Sequence, residues 1–539
     1  MPTLKASRLG ITRIKQARKE KGWTLYDPRW LIEASKVLDP RRNWEFEEEL
    51  ARGISEGTWK RWGQGKSINA PAFKAYCEVL ELNWEDIVEH HSATVANAHK
   101  DWGEAIDIST FYGRTVELAE LEHWIVIEQC RIVAILGMGG IGKTSLSVKL
   151  AEQIQPFFEY LIWRSLRHAP PVQELLADLI EFLSDGQETE LQGVEEARVS
   201  QLIEHLREHR CLLLLDDVEM VLRSGELAGQ YREGYEGYGE LIRRVGEERH
   251  QSCLVLTSRE KPIEIASLAG ATLPVRVCRL KGLPKEDAKK ILEAKGFSSF
   301  KRGWEELIAL YRGNPLALKI ISTTIQEIFN GDISQFLAQS TLVLGDILPS
   351  LLYQQFERLS NLEKGIIYCV AIENEPISIP ELKSDMQLSG VSLSELLSAL
   401  ESLKRRSLLE EEPNTENNTI FLTLQPVIRK YVINQLIEQL CKDILITVET
   451  QSTDKLGLLR ILALVKEQEQ EDVKEIQFRL ILTRVMDRLH MMSKSSNSIE
   501  EQLNEVLLML AEQSPQAVGY AKSNILNLLR SRSSGLQQA

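Results

Sequence analysis

One segment constrains this chain more than any other: the apolar run RIVAIL (131–136) leads directly into GMGGIGKT, Gly137 to Thr144. A buried strand ends where a glycine-rich loop begins, and SLSVKLAEQI then reads as a helix. The octet fits G-x-x-x-x-G-K-[ST] at every position. Gly137, Gly139, Gly140 and Gly142 let successive backbone N–H groups turn inward and form a nest for phosphate oxygens. Lys143 brings a mobile ammonium to the β and γ phosphates. Thr144 offers a hydroxyl ligand to Mg2+, and with Ser145 it begins the helix whose positive end faces the phosphates. The segment predicts binding of a purine nucleotide, ATP or ADP, together with Mg2+.

Three more apolar runs follow, YLIW (160–163), CLLLL (211–215) and CLVL (253–256), each separated from the next by enough chain for a helix. Strands buried on both faces and alternating with helices predict an α/β domain built on a parallel sheet. CLLLLDD ends in two acids. Asp216 is predicted to hold Mg2+, and Asp217 to orient the attacking water, which with Lys143 makes the candidate catalytic set. Arg259 closes CLVLTSRE, at the carboxyl end of a strand, where ligands bind in open α/β sheets; there it would sense the γ phosphate.

At 539 residues the chain is too long for one hydrophobic core. Residues 1–100 hold 17 Lys and Arg against 14 Asp and Glu, while the whole chain carries −14, and six of its ten tryptophans fall in the same stretch. That break marks a separate, all-helical N-terminal domain over 1–91, followed by a polar linker at 92–111. Neither a secretory signal nor a membrane-length apolar run is visible, which places the protein in the cytoplasm with no membrane partner. The seven scattered cysteines read as reduced, buried thiols.

Within the N-terminal domain, residues 51–87 have helix-turn-helix rhythm. A turn at Gly53 leads to a short helix with Thr58, Lys60 and Arg61. A turn at Gly63 to Gly65 leads to a helix packing Phe73, Tyr76, Val79 and Leu80. The stretch loosely resembles small Xre-type repressor domains. Two readings stay open: DNA binding, with Lys60, Arg61 and Lys66 on phosphates or base edges, or a protein–protein adaptor. EFEEE (45–49) opposes the first. Trp59 and Trp62 fit core, partner or DNA contacts.

Beyond Leu283 amphipathic helices take over. Residues 346–440 predict several helices and then two strands, SLLEE (407–411) and TIFLTL (419–424), joined by PNTENN (413–418), a winged-helix pattern. The order FYGR, GMGGIGKT, FEYLIWRSL, LLLLDD, LTSRE, RLKGL, GNPLALK and FLTLQPVIRKYV resembles the NB-ARC class of STAND nucleotidases. This class includes plant resistance proteins, apoptotic protease-activating factors and bacterial multidomain regulators.

The resemblance implies a nucleotide domain (112–284), a small helical domain (285–345) and a winged-helix domain (346–440) closing over ADP, then a helical segment (441–539). Exchange for ATP would open the molecule and drive homo-oligomerisation, with slow hydrolysis and a protein partner at either terminal domain. By position, Arg114 of FYGR resembles the adenine-side contact, Pro315 of GNPLALK the proline packed on the base, and Arg259 the sensor arginine. Without the family, GNP reads as a turn opening a helix. Where the family places Met-His-Asp, this chain has Leu424, Gln425 and Pro426. Gln425 offers the β phosphate one neutral hydrogen bond where the family histidine offers a charged one.

Residues 514–529 resemble the lead-in to sensor repeats, ten residues before the chain stops. A signalling switch is the expected function, with a nucleotide-regulated DNA-binding transcription regulator as the alternative.

Overall fold

The computed structural model describes all residues except 1–2, 24–26, 41, 43, 45–49, 89–98, 188–194, 298–301, 339–346, 374, 387–390, 415–418, 467–470, 494–497 and 536–539. The acidic run at 45–49, most of the PNTENN turn and the start of the expected linker lie outside the described residues. The chain divides into two compact units. One is Met1–His99 with Val116–Gln129 and Gln153–Glu159; the other is Lys100–Thr115, Cys130–Glu152 and Tyr160–Ala539.

In the first unit, helices Arg8–Lys21, Arg29–Leu38, Glu56–Gly63 and Ala70–Val79 surround an aromatic core. Trp30 stacks on Trp59 at 4.8 Å between ring centroids, and Trp59, Trp62 and Tyr76 lie edge to face or tilted against one another. Helix Glu56–Gly63 starts at a capping box formed by Ser55 and Thr58, so its register on this core is fixed locally. Trp59 and Trp62 are core residues, 3% and 0% exposed. The domain is not wholly helical: strand β1 (Thr3–Leu4) pairs antiparallel with β2 (Ile68–Asn69).

The predicted parallel sheet lies in the second unit, save His99 at the start of one strand. Its strands are β3 (His99–Asp101), β4 (Ile132–Leu136), β5 (Tyr160–Ser165), β6 (Cys211–Asp216), β7 (Cys253–Ser258) and β8 (Val275–Arg279), in the order β3-β5-β6-β7-β4-β8. The ladders joining β5, β6, β7, β4 and β8 are all parallel. β4, β6 and β7 are buried along their whole length, as strands covered on both faces must be. β3 falls inside the stretch expected to be linker. β8, VRVCR, carries no continuous apolar run because it lies at the sheet edge, next to β4 alone.

After the sheet come helices Lys285–Ala294, Trp304–Leu310 and Pro315–Ile328. Farther on, β9 (Ile377–Ser378), β10 (Glu410–Asn414) and β11 (Thr419–Thr423) form an antiparallel sheet in the order β10-β11-β9. The first strand of the hairpin lies three residues later than expected, because Leu408 and Leu409 turn into the core ahead of it. Pro413 is accommodated because β10 is an edge strand. The expected boundary at residue 440 falls inside one continuous helix, Pro426–Thr450, where Leu440 and Cys441 are fully buried. All seven cysteines are buried and free. Among the described residues no helix is long and apolar enough to cross a membrane.

Candidate functional site

The parallel register aligns the carboxyl ends of three central strands. Leu136 of β4 is level with Ser258 of β7, and Leu215 of β6 with Leu256 of β7. Gly137, Asp216 and Arg259 therefore emerge at one mouth. The loop after β4 is folded back on itself: Gly140 and Gly142 hold φ of +76° and +96°, which side chains with a Cβ rarely adopt. Lys143 opens the helix Lys143–Ile154 and bends its ammonium back to donate to the carbonyls of Gly137 (3.0 Å) and Met138 (3.1 Å). Ser145 stands half-buried in the first turn of that helix.

Thr144 and Asp216 meet. The threonine hydroxyl lies 2.9 and 3.0 Å from the two carboxylate oxygens. Thr257 of β7 donates its hydroxyl to Asp216 Oδ1 and accepts from the main-chain N–H of Asp217 at 3.2 Å. Asp217 takes a left-handed conformation (φ 59°), which turns the chain out of β6 into the short helix Val218–Val221. Glu219 on that helix reaches Arg259, Oε1 to Nε at 3.0 Å and Oε2 to the main-chain N–H at 3.1 Å. The Arg259 guanidinium lies against the loop, 3.5 Å from where a Cβ on Gly139 would stand.

Arg114 is buried beneath the same loop and donates to the carbonyls of Ile141 (3.0 Å) and Lys281 (2.7 Å). Asn314 caps helix Pro315–Ile328 through Oδ1 and donates through Nδ2 to the Gly139 carbonyl at 3.2 Å; Pro315 is the first helical residue. Leu316 N–H reaches the Gly140 carbonyl at 3.3 Å. The GNP turn thus docks on the loop through its asparagine.

Residues 115–301 match the NB-ARC domain family. This segment is an NB-ARC domain. An uncharacterized WD repeat-containing protein of Nostoc sp. is 43% identical over 581 residues, covering 98% of this chain and 45% of that protein. The chain thus spans less than half the length of that relative. A putative disease resistance RPP13-like protein of Arabidopsis thaliana is 31% identical over 90 residues, 16% of this chain and 11% of that protein. Among solved structures, a Walker-type ATPase of Pyrococcus abyssi is similar at a TM-score of 0.41 and 16% identity, over 62% of this chain and 99% of that one. A STAND protein with a tetratricopeptide repeat sensor from Pyrococcus horikoshii gives 0.33 and 18%, over 80% of this chain and 59% of that one.

Within the NB-ARC domain the charges are unbalanced. Burial, then repulsion from Asp217, pushes the Asp216 carboxyl up to about 6. Asp217 is raised by burial and by Glu219, and the Lys143 ammonium is lowered by burial against the pull of Glu219. Two adjoining hard oxygen donors, Thr144 Oγ1 and Asp216, in a carboxylate-rich pocket fit Mg2+, which takes few protein ligands and completes its shell with water and phosphate oxygens. Thr257, Glu219 and Asn314 were not predicted from sequence. Beyond Asp217 and Arg259 opens a cavity of about 680 Å³, bounded opposite by Tyr353, Glu357 and Arg358.

Gln425, outside the NB-ARC domain, stands at the start of helix Pro426–Thr450. Its amide donates to Glu410 Oε1 at 2.9 Å, and Glu410 Oε2 lies 3.7 Å from Arg312, next to the GNP turn.

Proposed function

We propose that the protein is an ATP/ADP-binding switch of the STAND type, in which nucleotide exchange and slow hydrolysis control opening and assembly into a homo-oligomer. The observation that carries this reading is the contact of Thr144 with both Asp216 oxygens beside the folded loop and Lys143. Loop amides at Gly137, Gly139, Gly140 and Gly142, with Lys143, would grip the β and γ phosphates. Thr144 and Asp216 would hold Mg2+, which supplies neutralising charge between those phosphates. Asp217 would orient water, Arg259 would read the terminal phosphate, and Arg114 and Pro315 would shape the adenine side.

The segments 112–284, 285–345 and 346–440 would act as nucleotide, small helical and winged-helix parts of one closing body. Because the Gln425 amide is turned to Glu410 by one of its two N–H donors, we read the closed state as held by contacts between protein groups more than by Gln425 on a phosphate.

The test is to purify the full chain and identify its copurifying nucleotide. ADP, with growth in mass on exchange for ATP and Mg2+, supports the switch. A protein that carries no nucleotide and binds neither ADP nor ATP overturns it. Arg61 and Lys66 are exposed on the first unit. A salt-dependent shift of duplex DNA by the full chain would instead favour the transcription regulator.

A further inference from the structure

Arg259 presents two sets of donors in different directions. Its Nε and main-chain N–H both go to Glu219, so both oxygens of that carboxylate are committed to one residue. The rest of the guanidinium faces Gly139 in the loop, with Nη1 3.5 Å from the Cβ position there. Burying a third carboxylate beside Asp216 and Asp217 is costly unless it is paired and hydrogen-bonded, and the Glu219 side chain is only 3% exposed. Asp217 makes the placement possible, since its left-handed turn carries residue 219 back across the mouth of the sheet towards β7. Both Glu219 oxygens bond Arg259, and a side chain only 3% exposed has little contact with solvent water.

We infer that Glu219 is a positioning residue: by holding the main chain and Nε of Arg259, it aims the remaining guanidinium nitrogens at the terminal phosphate and sets how strongly the site prefers ATP to ADP. The inference rests on Arg259 being the residue that reads that phosphate. Without the clamp, the long arginine side chain regains its rotamer freedom, and the interaction lost is the one that ADP never makes.

The experiment measures Kd for Mg-ATP and Mg-ADP by calorimetry on the full, nucleotide-stripped chain and its variants. Arg259→Ala and Glu219→Ala should each weaken ATP roughly tenfold, about one charged hydrogen bond, with ADP unchanged within about twofold. The double variant should be no worse than Arg259→Ala alone, because the two residues act as a unit. Glu219→Gln keeps an acceptor for Nε and should recover part of the loss.

A Glu219→Ala variant with the wild-type ATP-to-ADP ratio, or with equal losses for both nucleotides, overturns the inference while the Arg259 reading stands. An unchanged ratio in Arg259→Ala overturns both. If Glu219→Ala fails to fold, Glu219→Gln decides: a partial loss confined to ATP supports the clamp, and an unchanged ratio refutes it.

Discussion

Glu260 accepts a hydrogen bond from the Arg406 guanidinium at 2.5 Å, with the two side chains 1% and 0% exposed. Arg358 also donates to Glu260. Arg406 reaches on to buried Glu363 at 3.1 Å, and Glu363 accepts from Ser402 at 2.6 Å. Glu260 directly follows Arg259, so the tip of β7 faces the phosphate loop with one residue and the 346–440 segment with the next. Three buried charges and the half-buried Arg358 contribute little net stability, yet removing Arg406 strips buried Glu363 of its cation and leaves Glu260 with Arg358 alone.

Arg406→Met is therefore expected to destabilise the protein by about 3–5 kcal/mol, because Glu260 and Glu363 lose their shared partner. Denaturation midpoints of the full chain check this. A loss near that of an exposed pair, ~0–1 kcal/mol, would contradict it.

Thr144→Ala should abolish most of the gain in ATP affinity that Mg2+ confers, by about tenfold or more, while affinity in EDTA changes little. Titrations with and without the metal separate the two terms. A variant retaining the full Mg2+ effect would remove Thr144 from the metal site.

The Asp216 carboxyl titrates near 6 in the folded chain and near 3.8 when unfolded. Between those values the folded state keeps a proton that the unfolded state has released. Stability without nucleotide or Mg2+ should thus fall as pH rises from about 4 to about 6, by on the order of 2–3 kcal/mol. Mg2+ needs the carboxylate, so Mg2+-dependent affinity should instead weaken as pH falls through that range. Comparing wild type with Asp216→Asn isolates the effect, and an identical pH slope in both would refute it.

Gly140→Ala and Gly142→Ala differ in surroundings. A Cβ on Gly140 would stand 2.7 Å from the Leu316 Cβ, whereas one on Gly142 meets nothing within 4 Å. Both incur left-handed strain of about 1–2 kcal/mol, and overpacking adds about 1–3 kcal/mol at Gly140 alone. Melting of the nucleotide-free variants should rank Gly140→Ala lower; equal shifts would speak against docking of the GNP turn on the loop.

Much of this arrangement was legible in sequence where the chemistry is local. GMGGIGKT and LLLLDD announce themselves through spacing, and four of the central strands through continuous apolar runs. Thr257, Glu219 and Asn314 escaped because their partners depend on strand register and on the turn at Asp217. Only the capping role of Asn314 before Pro315 is a local signal. Glu260, Glu363 and Arg406 look like ordinary solvated charges in sequence, and only packing reveals them as buried. β8 was missed because an edge strand need not be apolar on both faces.

The most direct test of the central claim compares nucleotide-stripped wild type with Lys143→Ala in calorimetric titration by Mg-ATP. Saturable binding by wild type, weakened about a hundredfold in the variant while its melting curve stays close to wild type, is the predicted result. Equal ATP affinity in the two proteins would contradict the phosphate-loop assignment on which the switch depends.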